Sequence, residues 1–183
     1  MKKTIGALMV AVSAIAMSAN AEALEYTPYA GVDYTYSDFS HKGENFNGGK
    51  IFAGAQYNEN FGTEVFYQRT LNAHQSNGAD AARTSYHFDA FGIDALGYLP
   101  LGCEQKVALI GTAGVARYRL ADRTPHEGHG HEWSWGYRLG AGAEYNVNEK
   151  VAVRALARYV DLGNFDGAAG DMWEYSLGAK YNF

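Results

Sequence analysis

The sequence predicts an all-β fold: an eight-stranded antiparallel up-and-down β-barrel that crosses a membrane with its strands. Three observations carry this. The first is the final stretch, WEYSLGAKYNF, where Trp173, Tyr175, Leu177, Ala179, Tyr181 and Phe183 alternate with Glu174, Ser176, Gly178, Lys180 and Asn182. Successive side chains of a strand point to opposite faces, so this segment has one aromatic face and one polar face. The second is that the chain before it falls into seven further strand-length segments, most of which alternate in the same way. The third is that the links between segments alternate short and long, as in barrels with short turns at one end and longer loops at the other. In a soluble protein an aromatic terminal strand would be an adhesive edge. In a closed barrel it pairs with the first strand and turns its apolar face to lipid.

The N-terminus sets the compartment. The chain opens MKKTIGALMVAVSAIAMSANA, with Lys2 and Lys3 ahead of an apolar stretch over residues 5–17 and a small-x-small box at Ala19-Asn20-Ala21. This is the layout of a secretory signal peptide, and the apolar run is too short for a spanning helix. Residues 1–21 are therefore expected to be removed, leaving residues 22–183 as a single barrel domain starting at Glu22. Losing both lysines takes the formal charge from −5 to −7. That balance argues against nucleic acid, which calls for a basic face. No later run of about 18 apolar residues suggests a membrane helix. The load of 14 Tyr, 9 Phe, 3 Trp and 22 Gly suits aromatic girdles and closely packed strands. Cys103 is the single cysteine, so no intramolecular disulfide is possible.

The segments follow in order. Residues 26–37 send Ala30, Val32, Tyr34 and Tyr36 one way and Tyr29, Gly31, Asp33 and Thr35 the other. Residues 50–57 alternate Ile51, Ala53, Ala55 and Tyr57 with Lys50, Phe52, Gly54 and Gln56. The third segment sets Phe61, Thr63, Val65 and Tyr67 against Gly62, Glu64, Phe66 and Gln68. The fourth, over 85–99, points Phe91, Ile93, Ala95 and Leu99 outward and Gly92 and Asp94 inward. His87 and Asp89 then share the outward face, which places them above the bilayer or after a bulge. The fifth, 106–119, is small and apolar on both faces, and its register stays open.

The sixth segment is the clearest: Trp133, Trp135, Tyr137, Leu139, Ala141, Ala143, Tyr145 and Val147 alternate with Ser134, Gly136, Arg138, Gly140, Gly142, Glu144 and Asn146. A slip of one residue would put Arg138 in lipid, at about 2–4 kcal/mol near the midplane. The seventh turns Val151, Val153, Ala155, Ala157 and Tyr159 outward and Arg154 and Arg158 inward. Short links are expected at 58–60, 100–105 and 146–149, and long ones at 38–49, 71–84, 120–132 and 162–171. Both termini then lie at the short-turn end.

An eight-stranded barrel has an interior just wide enough to be filled by side chains. The inward set contains Lys50, Arg138, Arg154, Arg158 and Lys180 facing Asp33, Glu64, Asp94, Glu144 and Glu174. Buried charges are tolerated when paired, so this reads as a structural lumen charge network with no open pore, the alternative being a narrow ion path. Glu64 and Glu144 are the expected partners of Arg138. A soluble barrel with an apolar interior is the rival fold, but it would expose Trp133, Trp135, Tyr137, Tyr175, Tyr181 and Phe183 or bury the charges.

The signal, the eight segments, the stretch GIDALGYLPLG (92–102) and the terminal KYNF resemble the small outer-membrane β-barrel family, which includes the OmpA-type transmembrane domain and OmpX-like proteins. The resemblance implies a bacterial outer-membrane location and contact with outer-membrane lipid and lipopolysaccharide. It also implies handling by the barrel-assembly machinery during biogenesis, a structural or surface-interaction role, and no cofactor. No peptidoglycan-binding domain follows Phe183, so a cell-wall tether is not expected.

Two loops hold residue types that could carry chemistry. RTPHEGHGHEW places His126, His129 and His131 with Glu127 and Glu132, ligand types for Zn²⁺ or Cu²⁺ on an unorganised glycine-rich loop. His74-Gln75-Ser76-Asn77 is similar to the H-x-S-N motif of the lipid A deacylases, which implies His74 as base to a Ser76 nucleophile. No Glu follows within a dozen residues, and only Asp80 and Asp89 could replace it. The expectation is therefore a non-enzymatic barrel, with a deacylase-like enzyme as the alternative.

Overall fold

In the computed structural model, which describes residues 26–39, 45–70, 85–102, 106–123, 131–162 and 170–183, each strand is hydrogen-bonded to the next. The strands are β1 (Thr27–Phe39), β2 (Asn45–Gln56), β3 (Phe61–Thr70), β4 (Ser85–Leu101), β5 (Val107–Arg123), β6 (His131–Asn146), β7 (Val151–Asp161) and β8 (Asp171–Asn182). Every pairing is antiparallel, and β1 pairs with β8 as well as β2, Val32 lying opposite both Ile51 and Ala179. Closure leaves no unpaired edge, the condition for crossing lipid with strands. The expected signal segment, 1–21, lies outside the described residues.

Alternation decides which way each strand faces. Val32, Ile51, Leu109, Leu139 and Leu177 are exposed around the middle of the barrel wall. Aromatic residues ring both ends. Near the turn end Tyr57 stacks on Phe61 and Tyr181 meets Phe183 edge-on, with ring centroids 5.9 and 5.3 Å apart. Near the loop end Trp173 packs edge-on against Tyr159 at 5.6 Å. Two girdles around an aliphatic band are what a lipid-facing barrel surface requires.

Three expectations change. First, β2 starts at Asn45, so the first long link shrinks to residues 40–44, no longer than the turn over 102–106. The alternation simply continues upstream: Phe46 points inward against Phe88 at 5.9 Å, and Gly48 and Gly49 pair with Thr35 and Tyr34. Second, β4 carries no bulge where it pairs with β5, the register running unbroken from Ser85↔Arg123 to Leu101↔Val107. Asp89 therefore stays on the outer face, where it accepts a hydrogen bond from the Tyr67 hydroxyl at 3.0 Å. Third, β5 acquires a register. Ala108, Ile110, Thr112, Ala116 and Tyr118 face inward and Val107, Leu109 and Val115 outward. Both its faces are apolar because it lines two apolar sections of the lumen, described below.

A closed barrel of this kind resists detergent until heated, because no backbone pair is left open for the detergent to invade. Unheated protein should migrate on a denaturing gel at a different apparent size from boiled protein. Identical mobility would contradict closure.

Candidate functional site

Lys50, Glu64, Asp94, Arg138, Glu144, Arg154, Arg158, Glu174 and Lys180 all lie inside the barrel with relative exposures of 4% or less, as does Asp33. They assemble into three groups. In the first, Arg154 of β7 reaches across the lumen to two strands. It donates from Nη1 to Glu64 Oε2 at 2.6 Å and from Nη2 to Asp33 Oδ2 at 3.0 Å, while Lys50 Nζ sits 2.6 Å from the same Asp33 oxygen. In the second, Arg138 Nη2 donates to Glu174 Oε1 at 3.0 Å and its Nε lies 3.4 Å from Asp94 Oδ1. Arg158 joins this group, donating from Nη1 to Glu174 at 3.3 Å and to the Ser176 hydroxyl at 3.1 Å. The third is the pair Lys180–Glu144 at 2.6 Å.

Arg138 thus meets Asp94 and Glu174 and not the expected Glu64 or Glu144. Strand tilt and stagger bring residues from non-adjacent strands to one level, and a long guanidinium stem spans the narrow interior. Register alone would set Glu144 opposite Arg154 and Glu64 opposite Asp94. The second juxtaposition joins two like charges, which is unfavourable in a direct cross-strand pair. It is relieved because each carboxylate turns to a different cation group.

Two phenylalanines complete the network. Arg154 Cζ lies 3.6 Å from the Phe52 ring centroid and Arg138 Cζ 4.0 Å from that of Phe66. Phe52 and Phe66 are opposite each other on β2 and β3, so adjacent rings form a platform under two guanidiniums. The sequence signal was present: each is a bulky aromatic on the polar side of its alternation. Lys180 Nζ lies 4.9 Å from the Tyr29 ring and 5.3 Å from that of Tyr98.

Apolar side chains flank the charges toward each end. Toward the loops, Phe46, Phe88, Tyr118, Val160, Leu162 and Met172 are buried in one cluster. Toward the turns, Leu96, Tyr98, Ala108, Ile110 and Leu156 form another. The turn-end mouth opens as a cavity of about 410 Å³ that Lys180 and Glu144 help to line. Such a lumen holds paired charge between two apolar layers. Its chemistry is that of a core, with cations matched by carboxylates and stacked on rings.

The family model for the outer membrane protein beta-barrel domain matches residues 7–183. The chain belongs to that family. This beta-barrel protein accordingly resides in the bacterial outer membrane, as do solved structures with the same fold. Neisserial surface protein A has a TM-score of 0.67 at 18% identity, over 86% of this chain and 97% of that one. Ail, the attachment invasion locus protein of Yersinia pestis, in complex with the heparin analogue sucrose octasulfate, has a TM-score of 0.59 at 15% identity, over 86% and 97%. OprG from Pseudomonas aeruginosa also has a TM-score of 0.59, at 13% identity, over 86% and 95%. No curated protein matches the sequence.

His74, Ser76 and Asp80 lie outside the described residues, as do His126, Glu127 and His129. His131 and Glu132 open β6 in place of belonging to the loop before it.

Proposed function

We propose that this outer-membrane barrel is a non-enzymatic scaffold. Its lumen is closed to ions, and its extracellular segments make the surface contacts that support attachment or envelope integrity. One observation carries the reading: the interior is spent on structure. Paired charges occupy its middle, and Phe46, Phe88 and Tyr118 on one side and Leu96, Ile110 and Leu156 on the other bury apolar surface there. A barrel filled in this way offers its ends and its outer wall to partners, and loops on a rigid scaffold are where specificity commonly resides. That Ail, a barrel of the same fold, is named for attachment agrees with this reading. Its partners in the membrane are outer-membrane lipid and lipopolysaccharide, and during biogenesis the barrel-assembly machinery. Removal of residues 1–21 precedes assembly.

The test exchanges residues 71–84, 124–130 and 163–169 for Gly/Ser linkers in cells that carry the protein. Attachment to surfaces, or resistance to detergent, should fall to the level of cells lacking the barrel while heat-modifiable protein persists in the membrane. Unchanged behaviour in the exchanged variant, alongside a clear defect on deletion, would overturn the reading. The enzymatic alternative has its own readout. His74→Ala and Ser76→Ala should leave the mass spectrum of cellular lipid A unchanged, and an acyl chain whose loss depends on both residues would reverse the assignment.

A further inference from the structure

We infer that the cavity at the turn end of the barrel binds a linear aliphatic polyamine. One ammonium sits on Glu144 at the cavity floor, a second reaches a carboxylate of the rim, and the methylene chain lies between them. Short turns face the periplasm in outer-membrane barrels, so the ligand enters from that compartment.

The floor supplies an unused acceptor. Asp33, Asp94 and Glu174 each meet two cations in the lumen. Glu64 engages both its oxygens with Arg154. Glu144 meets Lys180 through Oε1 at 2.6 Å, while its Oε2 is buried with no hydrogen-bond partner among the described residues. A buried acceptor without a donor is unfavourable, and a charged donor relieves it best. Asn182 Oδ1 is a second buried acceptor without a partner, and both residues line the cavity. Asp33 holds Lys50 and Arg154 together, so the charge of Lys180 does not bar an ammonium from Oε2.

The rim sets the sign of charge. Glu59 in the β2–β3 turn and Glu149 in the β6–β7 turn are exposed, line the cavity and stand in no ion pair among the described residues. These turns lie four strands apart in a ring of eight, on opposite sides of the mouth. The cations of the lining are Lys180, held by Glu144, and Lys106, which also has a partner. Lys150, next to Glu149 in the chain, is exposed and lies outside the lining. Three carboxylates against two ammonium groups leave the cavity anionic. Pro100, Ala108 and Val147 add apolar wall to its volume of about 410 Å³. Methylene stems pack on such wall while their charged ends stay on polar groups. A divalent metal suits the cavity less well. It takes several oxygen ligands at about 2.0–2.6 Å, and among the described residues no group of three His, Cys, Asp or Glu could hold one.

Isothermal titration calorimetry on the full folded barrel in non-ionic detergent tests this, with spermidine, butylamine and Mg²⁺ as probes. Spermidine should bind about tenfold more tightly than butylamine, whose single ammonium cannot hold floor and rim together. Glu59→Gln combined with Glu149→Gln should weaken spermidine severalfold and leave butylamine nearly unchanged. Both residues are exposed in turns, so this variant folds, as heat-modified mobility will verify. Glu144→Gln should weaken both amines about tenfold, and the rim variant decides alone where Glu144→Gln does not fold. Asp161→Asn with Asp171→Asn removes the same charge from the loop end and should leave binding unchanged. Equal affinity for the two amines, full binding by the rim variant, or an equal loss in the loop-end variant would overturn the site. So would displacement of spermidine by equimolar Mg²⁺, which would assign the cavity to a divalent cation.

Discussion

Arg154→Ala should be the most damaging single truncation in the barrel, lowering stability by about 3–5 kcal/mol, because it leaves carboxylates buried without their cation. Arg154 serves both Asp33 and Glu64, and among the described residues no other cation lies within hydrogen-bonding distance of Glu64, whereas Asp33 keeps Lys50. It also vacates the face of Phe52. Urea unfolding in lipid vesicles measures the loss. Adding Glu64→Gln should return a large part of it, since no unpaired charge then remains at that position. Leu139→Ala on the lipid face is the control and should cost far less, because lipid solvates the exposed wall whichever residue is present. Simple additivity of Arg154→Ala and Glu64→Gln would show that the two do not form a pair.

Gly178→Ala should cost about 1–3 kcal/mol although it adds a single methyl group. Gly178 lies opposite Asp33 on β1, and an added Cβ would collide with Asp33 Oδ1 and the Val32 carbonyl. The second inward aspartate repeats the arrangement: Asp94 faces Gly114, whose Cβ would strike Asp94 Oδ1. Each carboxylate leans over a neighbouring strand through the space a glycine leaves. Gly111→Ala, outward and unobstructed, should be neutral or stabilising by a few tenths to about 1 kcal/mol. Unfolding midpoints of the two variants separate the cases. Equal effects at Gly178 and Gly111 would mean that glycine acts there through chain flexibility and not through room for Asp33.

How far the sequence could be read follows from what penalises error. Lipid punishes a misplaced charge, so β6, with Arg138 and Glu144 on one face and Trp135 and Leu139 on the other, could be oriented by inspection. β5 could not, because its inward Ala108, Ile110 and Ala116 serve an apolar part of the lumen and resemble its outward residues. The partner of Arg138 was hidden for a different reason. Pairing across a barrel depends on stagger around the whole circumference, and no local pattern in β6 encodes that Asp94 and Glu174 share its level. Gly48 and Gly49 read as loop because glycine punctuates chains, yet the alternation of Phe46 with Asn45 and Asn47 already extended β2. The signals for Phe52 and Phe66 were legible but open to a second meaning, since an aromatic on a polar face can fill space without holding a cation.

Planar-bilayer recording of the purified, folded barrel tests the closed charged lumen most directly. Wild-type protein should produce no stepwise conductance above the bare bilayer. Arg154→Ala combined with Glu64→Ala should produce small steps, since both sides of the first ion group are then removed. Reproducible discrete conductance from the wild-type protein would contradict the proposed closed lumen, in which side chains packed as a core would block an ion path.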